Sequence, residues 1–254
     1  MVFFKKNNYN LDRIRCFCVE GDDGVGKTTF IKNIMRNSGN RRFAYIHMPS
    51  NITYLVDKDF DPYLTQFDNF LKNMSNYKDF TTTMNQECLL QSVTVGYNIL
   101  TTILTTSYII IQDRGIISNI VYKNYKKVKD RIHYRNIDNK ISQSYDFVKH
   151  HVTNFEDFLD RTLHIFLDNR NFKKDNGDTL FLSNKNLMRF HKNFTAKKES
   201  DRIKNGYLDF LYYYKKNSKK EFQFTKTIII GKYFYYNKKV DINKLKKEYH
   251  NQNA

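Results

Sequence analysis

The chain has few of the residues that mark specialised classes of protein. Its 254 residues include no Trp, two Pro, nine Gly and three Cys. So little Gly and Pro excludes collagen-like and low-complexity chains, and 40% hydrophobic with 16% aromatic residues excludes a chain that is disordered throughout. No apolar run approaches the roughly 20 residues of a membrane-spanning helix, and the first residues lack the apolar core of a secretory signal. We therefore expect a soluble, intracellular protein with no membrane partner.

The three cysteines are too few for a disulfide framework. Cys16 and Cys18 stand two apart in an apolar run, so in a strand they would share one face. No second Cys pair or Cys/His pair at zinc spacing accompanies them. We expect reduced, buried thiols and a cytoplasmic location.

Basic residues outnumber acidic ones. Lys and Arg total 43 against 26 Asp and Glu, which gives a net charge of +17. Such a charge suits polyanionic partners such as nucleotides, phosphates or nucleic acid. The chain is also crowded with Lys, Asn, Ile, Tyr and Phe, the usage of an AT-rich genome such as that of some viruses. Both explanations of the charge stay open at this point.

Short apolar runs alternate with helical patterns along the chain. Helical spacing of apolar residues covers about 27–36, 60–80 and 84–106. The alternation predicts an α/β fold with a five-stranded parallel sheet and helices on both faces. No Pro/Gly/Ser linker divides the chain, so we expect a single domain over 1–254, of which 1–14 form a basic arm. The predicted strands cover residues 16–19, 43–46, 108–111, 163–167 and 227–230.

A glycine-rich segment follows the first predicted strand. Residues 21–28 match the pattern G-x-x-x-x-G-K-[ST], and a helix is predicted directly after them. Glycines let the backbone turn so that successive N–H groups and the helix N-terminus point at phosphate oxygens. Lys27 would reach the terminal phosphates of ATP, and Thr28 would ligate Mg²⁺. The predicted ATP-binding residues are Gly21, Asp22, Asp23, Gly24, Val25, Gly26, Lys27, Thr28 and Thr29.

A second polar pair, Asp113 and Arg114, follows the third predicted strand. In open α/β sheets ligands bind at the carboxyl ends of the strands, so both side chains would lie near the phosphate loop. A carboxylate there can hold Mg²⁺ or its waters, and an Arg can bind two phosphate oxygens at once. We predict that both act in catalysis together with Lys27, and that Asp113 shares the metal with Thr28.

Three segments resemble the thymidylate kinases. Residues 19–29 look like their phosphate loop, which commonly reads EGxDGxGKTT. Residues 113–122 look like their DRYxxSxxAY segment, with Gly115 in place of the usual aromatic residue. The stretch from Leu167-Asp168 to Arg189 resembles the end of the fourth strand and the lid of that family. The resemblance spans roughly 15–215 and implies a P-loop kinase fold with a lid over 169–189.

The resemblance also implies roles for individual residues. Asp23 would contact the acceptor sugar or its phosphate, Arg114 the acceptor phosphate, and Tyr122 the deoxyribose, with Ser118 in the same acceptor site. Arg189 would be the catalytic residue of the basic lid. The implied reaction is Mg²⁺-dependent phosphoryl transfer from ATP to a deoxynucleoside monophosphate, dTMP to dTDP, in nucleotide biosynthesis. Kinases of this family are often homodimers.

Gln91 keeps a second kinase hypothesis open. Residues 90–94 look like the helix in which deoxynucleoside kinases use a Gln to bind the base, whereas 89–95 lack the Phe and Arg with which thymidylate kinases bind thymine. Phosphorylating a nucleoside 5′-hydroxyl is helped by a general base. Deoxynucleoside kinases place a Glu after the second strand, and none stands at 47–51. A monophosphate already carries an anionic nucleophile, so we prefer a monophosphate kinase.

A function of another class is that of a catalytically weak P-loop protein that binds nucleic acid. Segments 123–135 and 238–247 are basic and could contact a phosphate backbone. Solvated basic helices explain the same segments more simply, so we expect nucleotides and no nucleic acid as partners.

Overall fold

Six strands form one sheet in the computed structural model of the chain. The strands are β1 Cys16–Glu20, β2 Phe43–His47, β3 Ile52–Val56, β4 Ile109–Asp113, β5 Thr162–Asp168 and β6 Thr227–Gly231. The principal helices are α1 Lys27–Asn37, α2 Thr65–Met74, α3 Gln86–Leu104, α4 Phe155–Asp160 and α5 Ile242–Asn253. The structure describes residues 11–21, 25–39, 41–48, 50–57, 65–74, 86–118, 121, 144, 146–168, 227–231 and 239–253.

The strands follow the order β3-β2-β4-β1-β5-β6 across the sheet. All neighbouring pairs are parallel except β3, which pairs with β2 in antiparallel orientation. The predicted α/β fold with five parallel strands is therefore confirmed, and β3 is an additional edge strand that the sequence analysis missed. The strands β2, β3 and β4 lie on one side of β1, and β5 and β6 lie on the other. The strand order therefore changes direction at β1, and open α/β sheets bind ligands at the carboxyl end of such a strand.

Helices cover both faces of the sheet. On one face, side chains of β1 such as Phe17 and Val19 lie in the same core layer as Phe30 and Ile34 of α1. The other layer joins Ile110 of β4 to apolar residues of α3 and α4. The alternation of strand side chains explains both layers, because consecutive residues of a strand point to opposite faces. Of the described part of the chain, no helix is long and apolar enough to cross a membrane.

Residues 239–247 of the basic segment lead into and partly form α5. Ile242, Leu245 and, farther along, Tyr249 are buried in the core layer that contains α1. The Ser38 hydroxyl, just after α1, accepts a hydrogen bond of 3.2 Å from the Ile242 N–H. This helix therefore has a packing role on its apolar face, whatever its lysines contact.

The hairpin between β2 and β3 is fixed against α3. Asn51 has a φ of 56°, and its side-chain amide donates to the Ser92 carbonyl at 2.7 Å. A Cβ at Gly96, one turn farther along α3, would lie 2.8 Å from Met48 Cε and closer still to Asn51 Oδ1. The hairpin approaches α3 this closely because residue 96 has no side chain.

Gly96→Ala should therefore destabilise the fold. Ala normally stabilises the interior of a helix relative to Gly, but here the added methyl group must displace the Asn51 side chain, which is bound to Ser92, and the buried end of Met48, at a cost of about 1–3 kcal/mol. Val95→Ala is the control, because Val95 is 53% exposed on the same helix. This substitution should change the free energy of unfolding by less than about 0.5 kcal/mol. Urea unfolding measures both. A Gly96→Ala variant as stable as the parent chain would contradict the close approach.

Candidate active site at the carboxyl edge of the sheet

The glycine-rich segment joins β1 directly to α1. Gly21 follows β1 with a φ of 146°, and Gly26 has a φ of 97° immediately before Lys27 begins α1. Both values lie in the region that favours glycine. The first turn of α1 contains no acidic residue, so the positive end of the helix dipole is left for an anionic ligand. The predicted strand–loop–helix arrangement is observed, while Asp22, Asp23 and Gly24 lie outside the described residues.

Lys27 is folded back into the loop. Its side chain is 8% exposed, and Nζ donates to the Gly21 carbonyl at 2.9 Å. An ammonium group carries three donors, and this bond uses one of them. Val25 is buried beside Gly21, whereas Thr28 and Thr29 are exposed in the first turn of α1. The first turn of α1 therefore contains a buried ammonium group followed by two exposed hydroxyl-bearing residues.

Asp113 ends β4 next to the strand that leads into the loop. It is paired with Val19 in the register of β1 and β4, and it is 4% exposed. The Tyr45 hydroxyl donates to Oδ2 at 3.1 Å, while Oδ1 is buried without a hydrogen-bond partner among the described residues. A buried carboxylate oxygen with no donor is costly. The arrangement therefore fits a carboxylate that completes its contacts with a cation or its waters.

The residues present fit Mg²⁺ shared with phosphates better than a site made of protein ligands alone. Within the part of the chain that the structure describes, no group of three or more His, Cys, Asp or Glu side chains could hold a metal. Mg²⁺ commonly takes one or two protein ligands and obtains the rest from substrate phosphates and water. Asp113 and Thr28 are the two candidates that the sequence analysis named.

Arg114 lies at the turn after β4 in an unusual conformation. Its φ is 67°, in the left-handed region that costs a non-glycine residue roughly 1 kcal/mol. The Arg114 N–H donates to the Val19 carbonyl at 3.0 Å, which joins this turn to the end of β1. The side chain is half-buried. The turn thus holds Arg114 beside the end of β1.

Gly115 departs from the thymidylate kinase pattern for a steric reason. A Cβ at this position would lie 2.9 Å from Cys18 Sγ and 2.9 Å from Glu20 Oε1. Both of these atoms are buried, so neither can move away into solvent. A larger residue would require a rearrangement of the interior at the end of β1.

Glu20 is the central residue that the sequence analysis missed. Its side chain is fully buried, Oε1 accepts the Gly115 N–H at 2.9 Å, and Oε2 accepts the Ser118 hydroxyl. Burial raises the pKa of Glu20 to about 7, against the opposing effects of the Ser118 hydrogen bond and the Arg114 charge. The sequence signal was a charged residue that closes the otherwise apolar strand Cys-Phe-Cys-Val-Glu.

Tyr45 was likewise missed, although it is the hydrogen-bond donor to Asp113. Burial, followed by the negative charge of Asp113, raises the pKa of Tyr45 well above its usual range. The phenol therefore stays protonated and keeps its hydrogen bond. Nothing in the local sequence distinguishes Tyr45 from the many other tyrosines of the chain.

The described residues of the predicted acceptor site lie in different surroundings. Arg114 lies at the sheet edge, whereas the Ser118 hydroxyl donates to Glu20 in the interior. Gln91 is exposed on α3, so its amide is accessible. The roles of Ser118 and Gln91 in acceptor binding stay predictions. Asp23, Tyr122, Arg189 and the lid segment 169–189 lie outside the described residues.

The end of β2 offers no carboxylate in its described part. His47 Nδ1 and the Ser50 hydroxyl are 2.9 Å apart, and the Asn51 amide is bound to Ser92. The acidic side chains described at the ends of β1 and β4 are Glu20 and Asp113, and the side chain of Asp168, which ends β5, lies outside the described part of the structure. Their surroundings differ, since Glu20 is enclosed by donors and Asp113 has one oxygen available.

No family model and no curated protein matches this chain. Among solved structures, the chain is similar to the thymidylate kinase from Ehrlichia chaffeensis over 93% of its own length and 95% of that chain, at 16% identity and with a TM-score of 0.42. A likeness this weak carries no inference about function. The function proposed below rests on the geometry of the site and on the sequence motifs.

The buried Glu20 should make stability depend on pH. Its pKa of about 7 in the folded chain exceeds the ordinary value of 4.5, so the folded state binds the proton more tightly than the unfolded state. Stability should therefore fall as pH rises from about 4.5 to 7 and level off above that. Glu20→Gln cannot titrate. The free energy of unfolding of the parent chain minus that of Glu20→Gln should decrease by up to about 3 kcal/mol between pH 5 and pH 8.

Urea unfolding at several pH values between 5 and 8 measures this difference. Glu156→Gln is the matched control, because Glu156 is exposed and pairs with Lys149 on the surface. That substitution should shift stability by no more than about 0.5 kcal/mol at every pH. If the free energy of unfolding varies with pH in the same way for the parent chain and for Glu20→Gln, the buried carboxylate does not cause the pH dependence.

Proposed function

We propose that this chain is an Mg²⁺-dependent kinase that transfers the terminal phosphoryl group of ATP to a nucleoside monophosphate. The observation that carries the proposal is the position of Lys27 in a strand–loop–helix turn beside the end of β4, where Asp113 has one buried carboxylate oxygen available. A helix N-terminus and an ammonium group suit the phosphates of a nucleotide, and a carboxylate suits the magnesium ion that the nucleotide carries.

Phosphoryl transfer requires alignment and charge neutralisation more than covalent chemistry. Lys27 and the N–H groups at the start of α1 would bind the donor phosphates. Thr28 and Asp113 would hold Mg²⁺ directly or through its waters, and the bound ion would supply further positive charge at the phosphates. Arg114, beside Asp113, would bind the acceptor phosphate through two N–H groups.

The carboxylates favour a monophosphate over a nucleoside as acceptor. A nucleoside hydroxyl is helped by a general base, and a pKa of about 7 would suit Glu20 for that task. However, Glu20 is fully buried and both of its oxygens accept protein hydrogen bonds. A monophosphate oxygen is already anionic and needs no base, which agrees with this arrangement.

The finer assignment rests on the sequence resemblance. Conversion of dTMP to dTDP is the first reaction to test, with the lid at 169–189, Arg189 and Tyr122 in the roles that the thymidylate kinase pattern implies. A nucleic-acid-binding role has less support, because the packing of Ile242 and Leu245 already gives residues 239–247 a structural role and segment 123–135 lies outside the described residues.

Lys27→Ala should reduce phosphoryl transfer by roughly 10²–10³-fold, since one donor to the developing charge is lost. A coupled kinase assay with ATP and a panel of deoxynucleosides and their monophosphates measures it. Lys32→Ala is the matched control on the same helix, because Lys32 pairs with Asp68 at 2.7 Å away from the loop. Near-normal turnover of Lys27→Ala would refute the assignment, and turnover of nucleosides alone would replace it by nucleoside kinase activity.

Arg114→Ala should weaken binding of the acceptor phosphate specifically. We expect the KM for the monophosphate to rise by about tenfold or more, as for the loss of a charge-assisted hydrogen bond, while the KM for ATP changes by less than about twofold. Arg42→Ala is the control, because Arg42 pairs with Asp57 near the other end of β2. A change confined to ATP affinity would mean that Arg114 belongs to the donor site.

A further inference from the structure

The buried pair of Tyr45 and Asp113 links two strands at the base of the candidate site. We propose that Tyr45 is a positioning residue for Asp113: its hydroxyl holds Oδ2, so that Oδ1 is presented to the cation of the bound nucleotide. This inference rests on the proposed function, since it concerns how the same site binds Mg²⁺ with ATP.

The placement of Tyr45 follows from strand register. Tyr45 pairs with Ile111 on β4, and Asp113 lies two residues farther along that strand. Because residues two apart in a strand share a face, the Tyr45 ring lies on the same face of the sheet as Asp113. The hydroxyl reaches Oδ2 at 3.1 Å. The contact is therefore built by the sheet itself and not by a loop.

The ring that carries this hydroxyl is tightly held. Tyr45 is 1% exposed. Two rings of α2 meet it edge to face, that of Phe67 with a centroid distance of 5.1 Å and that of Phe70 with 6.1 Å. Edge-to-face aromatic pairs fix ring orientation as well as burying area. The hydroxyl is thus a donor with little freedom to move.

A fixed donor matters because the rotation of a carboxylate about its last bond is soft. In Asp113 one oxygen has a protein partner and the other has none among the described residues. The hydrogen bond makes the two oxygens inequivalent and orients the group before a ligand arrives. Groups that orient a metal-binding side chain in this way typically affect metal affinity by 10–100-fold.

Tyr45→Phe removes the hydroxyl and retains the ring. Tyr54→Phe is a matched control from the same aromatic cluster, because the Tyr54 ring lies 4.6 Å from that of Phe70 and its exposed hydroxyl contacts Gln66 at 3.4 Å. Both variants lose one oxygen atom. The difference between them isolates the contact with Asp113.

The experiment measures binding of ATP by calorimetry, once with excess Mg²⁺ and once with EDTA, for the parent chain and both variants. Tyr45→Phe should weaken binding of Mg·ATP about tenfold and change binding of metal-free ATP by less than about twofold. Tyr54→Phe should match the parent chain in both conditions. An equal loss with and without Mg²⁺, or no loss, would overturn the positioning role.

A double-mutant cycle with Asp113→Asn tests the same inference by a second route. If Tyr45 acts through Asp113, adding Tyr45→Phe to Asp113→Asn should weaken Mg·ATP binding by less than about twofold more, whereas independent effects would multiply. Multiplying effects would overturn the inference. So would a Tyr45→Phe chain that fails to fold, because the hydroxyl would then serve folding and not cation binding.

The two proposals fail in different ways. A parent chain that binds no Mg·ATP would overturn the proposed function, and the role of Tyr45 with it. A parent chain that binds Mg·ATP normally while Tyr45→Phe does the same would overturn the role of Tyr45 alone.

Discussion

The buried carboxylate of Glu20 is the constraint on which the sheet edge depends. It receives the Gly115 N–H and the Ser118 hydroxyl, so the end of β1 is tied to the turn after β4. Removing a carboxylate from water is costly unless donors replace the lost hydration, and here they come from a segment about 95 residues away. The same contact requires Gly115 and holds the turn that carries Arg114.

Glu20 and Asp113 end neighbouring strands but face opposite sides of the sheet. Glu20 shares its face with Cys16 and Cys18, on the side of α3, whereas Asp113 shares its face with Ile111, on the side of α1. One carboxylate is saturated by protein donors and the other is half satisfied. Glu20 therefore stabilises the turn after β4, whereas Asp113 keeps one oxygen atom that could contact a ligand.

The sequence predicted the elements of the fold better than the contacts of the site. The strands β1, β2, β4 and β5 are largely apolar runs buried on both faces, which is a local signal. The loop before Lys27 follows from a local pattern of glycines. The edge strand β3 was missed because Ile52–Val56 is only partly buried and follows Pro49 closely in the sequence. The contacts of Glu20 with Gly115 and of Tyr45 with Asp113 span 95 and 68 residues, and no spacing rule links residues so far apart.

The charge of the described site is small compared with that of the whole chain. Lys27 and Arg114 supply two positive charges, Asp113 removes one, and Glu20, with a pKa of about 7, removes part of another near neutral pH. A nucleoside triphosphate and a nucleoside monophosphate together carry far more negative charge than the small net positive charge of these four side chains can offset. In the proposed complex the N–H groups at the start of α1 and a bound Mg²⁺ would carry much of the neutralisation, together with the basic lid that the resemblance implies. This requirement makes the orientation of Asp113, and with it the Tyr45 hydroxyl, more consequential than the net charge of +17.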